Sequence, residues 1–264
     1  MNTYLQSVLA NIAGQFVQLV MIPFVLAYCL QWIGSRIRLI GVGLAGRAYW
    51  YFVAPGVACH ETGHAAGCIL TGTKVSKFVP FYPKDGVLGY VQHEARTGLF
   101  GGFANLLICT GPIWFGSLMI ILLSHLFNDS VGVIRYGDYF SNNAVPSVLN
   151  YVIALFCASL GLLFGIFSGD VLSWQFLLWF YLSFCIASEI GMSGVDIAHM
   201  RGGLGWVAGF FVALNAVLPV GRLVSMGIFV AMPYLFKVHV LMLTALMVNL
   251  MFLSLLRLYK KLKK

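Results

Sequence analysis

Residues 97–128 read TGLFGGFANLLICTGPIWFGSLMIILLSHLFN, and this stretch decides the fold class. Its 32 positions lie between Arg96 and Asp129 and contain no Asp, Glu, Lys or Arg. A helix that crosses a bilayer needs about 20 mostly apolar residues, so the stretch predicts a membrane-spanning helix. The apolar residues are continuous and do not alternate with polar ones, which argues against a strand of a membrane β-barrel.

The rest of the chain has the same character. Of its 264 residues, 60% are hydrophobic and only 9% are charged, whereas a soluble domain carries roughly 25% charged residues. No charged residue occurs before Arg36, and none occurs between Asp138 and Asp170. This composition excludes a soluble globular protein, a disordered chain, a coiled coil and a disulfide-rich secreted scaffold. We therefore expect an all-α polytopic membrane protein, a single integral-membrane domain over residues 1–264 in the cell (cytoplasmic) membrane.

Polar segments divide the apolar sequence into about seven expected transmembrane helices. The expected helices cover residues 8–33, 47–70 and 98–127, two helices within 147–190 that break at 168–170, and two within 204–256. Residues 128–146 and the glycine-rich residues 191–203 are expected to be polar loops. Arg36 and Arg38 are expected in the connection that follows the first helix.

The formal net charge of +8 is concentrated at the end of the chain. Five of the 16 basic residues lie there: Arg257, Lys260, Lys261, Lys263 and Lys264. A basic cluster directly after a transmembrane helix usually faces anionic lipid on the cytoplasmic side. We therefore interpret this charge as a membrane anchor, with the lipid bilayer and no nucleic acid as its partner.

Residues 72–97 differ from the apolar segments around them. β-Branched and aromatic residues alternate before the turn signal Lys84-Asp85-Gly86, and a second short run follows from Val87 to His93. This pattern is typical of a β-hairpin. We expect a small hairpin beside the membrane rather than a further span.

The helix predicted over residues 47–70 contains His60-Glu61-Thr62-Gly63-His64, an HExxH sequence. Residues four apart share one face of an α-helix, so His60 and His64 can bind one Zn²⁺ ion together. Glu61 can reach a water molecule on that ion and act as a general base. An ionisable cluster inside an apolar helix is functional by default, although the same residues could also join helices or hold a structural metal.

The sequence HETGHAAGCILTGTKVSKF, residues 60–78, resembles the HExxH helix and following β-hairpin of the site-2 protease family of intramembrane zinc metalloproteases. The resemblance extends over roughly residues 44–125, because the next predicted helix carries a similar Gly111-Pro112 pair. It implies a zinc site within the bilayer, in a metalloprotease-like core over about residues 44–203. It also implies that the substrate is a transmembrane segment of another membrane protein, which enters beside the hairpin.

This family supplies a third zinc ligand from a later helix, an Asp in a pattern like Asn-x-x-Pro-x-x-x-Leu-Asp-Gly. The segment from Ser188 to Asp196 keeps the spacing to an apolar-Asp pair, with Ser188 and Gly191 in place of the family's Asn and Pro. We therefore expect Asp196 as the third ligand, with Asp170 and Glu189 as alternatives. A carboxylate before a helix also commonly caps that helix, and Asp196 could do only that.

A second stretch, residues 214–223, is similar to another part of the family pattern, Asn…Pro…Gly-Arg-Leu, but it contains no Asp. The resemblance implies that Asn215 binds substrate or orients a ligand. His93 and His199 are expected to be interfacial polar residues. The alternatives are a second metal site beside His93 and a contact from His199 to the third zinc ligand.

Together these features predict an intramembrane zinc metalloprotease that hydrolyses peptide bonds in or near transmembrane segments of membrane proteins. Zn²⁺ bound by His60, His64 and Asp196 would activate water, with Glu61 as the general base. Two alternatives stay open. The chain could be a non-proteolytic metal-binding membrane protein, such as a transporter or an assembly factor, or a zinc enzyme that acts on a lipid-like substrate.

Overall fold

A computed structural model of the chain describes residues 13–84, 87–94, 100–127, 148–166, 172–200, 203, 205, 206, 209 and 221–263. These residues form a mostly helical structure that carries one two-stranded antiparallel sheet. At this level the expectation of a helical protein with a small β-hairpin is confirmed.

The helices of the described part follow one another along the chain. They are α1 (Ile22–Ala45, which continues a π-helical turn at Val17–Met21), α2 (Ala48–Leu70), α3 (Gly101–Phe127), α4 (Val148–Ile166), α5 (Trp174–Glu189), α6 (Gly194–Met200) and α7 (Gly221–Leu262). Strands β1 (Val75–Val79) and β2 (Tyr90–His93) lie between α2 and α3 in the sequence. The helix predicted over 47–70 and the two predicted within 147–190 agree with α2, α4 and α5. The predicted break at 168–170 lies outside the described residues.

Three helices are long and apolar enough to cross a membrane: α3, α4 and the part of α7 from Tyr234 to Leu262, with mean hydropathies of 2.2, 2.1 and 2.1. Helices α5 and α6 are bent by 55° at a short break, and together they make a fourth candidate span. Among the described residues the structure thus supports three to four spans. The expectation of about seven transmembrane helices is not supported.

The described helices differ from the seven expected spans at three places. Helix α1 continues past the predicted end of the first helix, so Arg36 and Arg38 lie within it, and α2 carries the polar HExxH residues. Neither α2 nor α1, taken over Ile22–Ala45, is among the described helices that are long and apolar enough to span. In the region predicted to form two helices over 204–256, a single helix runs from Gly221 onwards, and most of the segment before it lies outside the described residues. The predicted loop over 191–203 contains α6.

The hairpin predicted over residues 72–97 is confirmed, with shorter strands than expected. β1 and β2 pair antiparallel, and the chain between them returns to the start of α2, where the Phe81 ring lies 5.9 Å from the Tyr51 ring. Leu88 is buried with Val53 and Val57 of α2. The hairpin therefore packs along α2 and does not stand apart from the helices.

Glycines let α2 approach its neighbours closely, and this positions the HExxH sequence. A Cβ at Gly63 would lie 2.7 Å from Pro112 Cα, and one at Gly111 would overlap the Gly63 carbonyl oxygen, so α2 and α3 cross backbone against backbone. A Cβ at Gly56 would overlap the Cys185 carbonyl oxygen, so α5 packs on α2 equally closely. Small residues commonly allow membrane helices to pack in this way.

Polar side chains buried between α4 and α7 bond to one another and to the helix backbone. The Tyr151 hydroxyl lies 2.6 Å from His239 Nδ1, and both residues are fully buried. The Ser159 and Thr244 hydroxyls donate to carbonyl groups one turn earlier in their own helices. The Tyr151–His239 bond joins α4 to α7, and hydrogen bonds between helices stabilise their association in a membrane.

Candidate metal centre

The three side chains expected to bind zinc converge. His60 and His64 lie one turn apart on α2, and Asp196 lies near the start of α6. The His64 Nε2 atom is 3.1 Å from His60 Nε2 and 3.4 Å from Asp196 Oδ1, and His60 Nε2 is 4.0 Å from Asp196 Oδ2. One ligand atom from each residue lies within 4.8 Å of the others, an arrangement that could hold a metal ion.

Hydrogen bonds on the outer side of each imidazole leave the inner nitrogens free to bind a cation. His60 Nδ1 lies 2.7 Å from the Glu189 carbonyl oxygen, and His64 Nδ1 lies 2.8 Å from the Ile108 carbonyl oxygen. A carbonyl oxygen only accepts, so each Nδ1 carries the proton and donates it. In the neutral rings both Nε2 atoms are then acceptors that face each other at 3.1 Å. A cation between them relieves the repulsion of the two lone pairs, and a carbonyl behind each imidazole is typical of metal-binding histidines.

Two of the three separations between these atoms suit a tetrahedral zinc ion, and the third, 4.0 Å from His60 Nε2 to Asp196 Oδ2, is longer. Two nitrogen ligands at the usual Zn–N distance of about 2.0–2.1 Å lie roughly 3.4 Å apart around a tetrahedral centre. The distances of 3.1 Å and 3.4 Å from His64 Nε2 to its two neighbours are close to this value. Two imidazoles and a carboxylate are also a donor set of catalytic zinc sites, which keep the fourth position open for water or substrate.

Asp196 is held in place by the first turn of its own helix. The Ser193 N–H donates to Asp196 Oδ2 at 2.7 Å, and the Asp196 N–H donates to Ser193 Oγ at 3.2 Å. This reciprocal pair is a capping box, in which Ser193 is the N-cap residue. It occupies one carboxylate oxygen and leaves Oδ1 beside His64. Asp196 therefore caps α6 and faces the histidines at the same time, so the two interpretations of this residue are compatible.

Glu61 lies beside the histidines in the wall of a cavity of about 560 Å³, which His60, His64 and Asp196 also line. Residues 87–91 of the hairpin form a further part of this wall. A Cβ on Gly89 would lie 2.8 Å from Glu61 Cγ, so the hairpin backbone touches the Glu61 side chain. A carboxylate thus lies in a cavity large enough for a peptide segment, next to the group that could hold a metal.

The alternative third ligands are placed differently. The Glu189 carboxylate pairs with the Arg38 guanidinium of α1, and Glu189 does not belong to the group that could hold a metal. Asp170, the other alternative, lies outside the described residues, and so does Asn215, the expected substrate-binding residue.

Further polar side chains line the same cavity, although the sequence alone does not predict a role for them in the metal centre. His93 and His199 are among them, which makes both histidines available to a molecule in the cavity. Arg38 is another, and sequence reasoning does not single it out. The available signal is that Arg36 and Arg38 are the first charged residues after a long uncharged run, because an ionisable residue within an apolar helix marks a functional site by default.

No known protein family, curated protein or solved structure matches the chain with significance. What the protein does is therefore inferred from the geometry of this site.

Proposed function

We propose that the protein is an intramembrane zinc metalloprotease of the site-2 protease type. The proposal is carried by the convergence of His60 Nε2, His64 Nε2 and Asp196 Oδ1 beside Glu61 in one cavity. The resemblance of residues 60–78 to that family supports the same function. The three to four helices that are apolar enough to cross a membrane support a site of action in the bilayer.

The residues of the site have separate tasks in the proposed reaction. His60, His64 and Asp196 would hold Zn²⁺, which lowers the pKa of a water molecule it binds to near neutrality and polarises a carbonyl group. Glu61 accepts the proton that water loses as it attacks the peptide carbonyl carbon. Protonated Glu61 then donates this proton to the leaving amine nitrogen, which restores the carboxylate. The carbonyl groups behind the two imidazoles keep both rings in one tautomer.

The substrate we propose is a transmembrane segment of another membrane protein in extended form. The carbonyl groups of a helix are occupied by hydrogen bonds within the helix, so the segment must unwind before water can attack. β2 pairs with β1 along one edge, and the hairpin residues 87–91 line the cavity. An extended peptide that pairs with the second edge of β2 would be held by main-chain hydrogen bonds next to Glu61.

Glu61→Gln separates hydrolysis from metal binding. The wild-type protein, reconstituted in lipid with a pooled set of transmembrane segments, should produce new peptide ends that mass spectrometry detects. Glu61→Gln should produce none, while both proteins hold about one zinc ion per chain. Equal cleavage by the two proteins would contradict the role of Glu61.

The same preparations distinguish the alternative functions. Zinc uptake into the vesicles without new peptide ends would favour a transporter. Release of a fatty acid or a headgroup by the wild-type protein alone would favour an enzyme that acts on lipid. Either result, in the absence of peptide cleavage, would contradict the protease proposal.

A further inference from the structure

Helix α1 holds the break between α5 and α6, the segment that leads to Asp196. A Cβ at Gly34 would lie 2.8 Å from the Ser188 carbonyl oxygen, and one at Gly191 would lie 2.6 Å from Gln31 N. The backbone of α1 therefore touches the chain just before and just after the end of α5. Packing this close couples the break to α1, so a change in the contacts of α1 with the end of α5 is transmitted to the break.

An ion pair joins the same two segments. The Arg38 guanidinium of α1 contacts the carboxylate of Glu189, the last residue of α5, and the two side chains are 32% and 10% exposed. Both residues line the cavity of the metal centre. Removing one partner of a largely buried pair leaves an uncompensated charge, which is strongly destabilising. Loss of the Arg38 guanidinium is therefore expected to displace the Glu189 carboxylate and the end of α5 that carries it.

Glu189 connects this ion pair to the metal centre. Its carbonyl oxygen accepts the hydrogen bond from His60 Nδ1 at 2.7 Å. The chain then runs from Glu189 through the short break to Ser193, whose N–H donates to the Asp196 carboxylate. A displacement of Glu189 would therefore reach His60 directly and Asp196 through the intervening chain.

We infer that Arg38 is a positioning residue of the metal centre, which through Glu189 sets the orientation of the His60 imidazole and the position of Asp196. The inference rests on the proposed metal site but does not depend on peptide hydrolysis. Groups that hydrogen-bond to metal-binding histidines typically change metal affinity by about 10–100-fold when they are removed. Because Arg38 acts one contact further away, we expect an effect at the lower end, about tenfold.

The test measures metal binding rather than peptide hydrolysis. Zinc affinity of the full-length protein in detergent is determined by competition with a chelator, and the visible spectrum of the cobalt-loaded protein is recorded. Arg38→Met should bind zinc about tenfold more weakly than wild type and should shift the cobalt bands, because the His60 ring changes its orientation. Arg38→Lys keeps the cation and should recover most of the affinity.

Arg36→Met is the matched control. Arg36 lies two residues before Arg38 on the same helix, but it is exposed, and its guanidinium lies over the Trp32 ring at 5.5 Å. This variant removes the same charge from α1 without touching Glu189. It should keep the zinc affinity and the cobalt spectrum of the wild type.

Wild-type zinc affinity together with an unchanged cobalt spectrum in Arg38→Met would overturn the inference. If Arg38→Met does not fold, Glu189→Gln takes its place, because Gln keeps the backbone carbonyl and nearly the same volume but removes the charge. Glu189→Gln should weaken zinc binding, and wild-type affinity in this variant would overturn the inference as well. Failure of the proposed metal site is a different result, since the wild-type protein itself would then bind no zinc.

Discussion

Gly63→Ala tests the crossing of α2 and α3 that carries the second histidine. A Cβ on Gly63 would lie 2.7 Å from both the Cα and the N atom of Pro112. These are backbone atoms, so no change of rotamer relieves the contact. Ordinary van der Waals contacts of a Cβ begin at 3.4 Å, and α3 must therefore move away from α2 by about 0.7 Å to accept the methyl group.

This displacement reaches the metal centre through one hydrogen bond. His64 Nδ1 donates to the carbonyl of Ile108 in α3 at 2.8 Å. The same shift, where it lies along this bond, would lengthen the distance to as much as about 3.5 Å, where little of the hydrogen bond is left. Because the bond keeps the His64 ring in its tautomer and orientation, zinc affinity should fall by about 10–100-fold. The crowding itself should cost about 1–3 kcal/mol of stability.

Chelator competition and thermal unfolding of the protein in detergent measure these two effects. Gly43→Ala is the matched control, because a Cβ at this position in α1 would meet no heavy atom within 4 Å. It should leave zinc affinity unchanged and stability equal or higher, since Ala is a better helix former than Gly. Wild-type zinc affinity in Gly63→Ala would refute the coupling between helix packing and the imidazole.

Two further substitutions separate catalysis from stability. Gly89→Ala should reduce cleavage at full zinc content, because its Cβ would lie 2.8 Å from both Glu61 Cγ and the Pro80 carbonyl oxygen, so the hairpin and the Glu61 side chain must both shift. Mass spectrometry of the products and zinc analysis check the two parts, and an unchanged rate would argue against hairpin contact with Glu61. Tyr151→Phe should lower the free energy of unfolding by about 0.6–1.7 kcal/mol, because it removes the hydroxyl that bonds to His239. Its zinc affinity should equal that of the wild type, and a weaker affinity would link the α4–α7 contact to the metal centre.

The helix that carries HExxH is the element that sequence reasoning locates most accurately. The prediction of a helix over residues 47–70 differs from Ala48–Leu70 by a single residue at its start. The meeting of His60 and His64 follows from the helix alone, because side chains four positions apart share a face. Asp196 lies on a different helix, so its place beside them is expected only from the resemblance of residues 188–196 to a family pattern.

The remaining features depend on contacts between distant segments. Arg38 and Glu189 are 151 positions apart, and no local pattern pairs them. Charged residues after an apolar run suggest a connection outside the membrane, so the first helix is predicted to end before Arg38. Helix α6 is missed because the glycines of 191–203 favour a loop, although Ser193 and Asp196 have the spacing of a capping box.

The metal content of the purified protein tests the proposed centre most directly. Elemental analysis of the wild-type, His64→Ala and Asp196→Ala proteins, each shown by thermal unfolding to be folded, counts the zinc ions bound per chain. We predict about one zinc ion per wild-type chain and none in either variant. Zinc retained in Asp196→Ala would contradict the three-residue site, and a wild-type protein without zinc after incubation with the metal would contradict the centre itself.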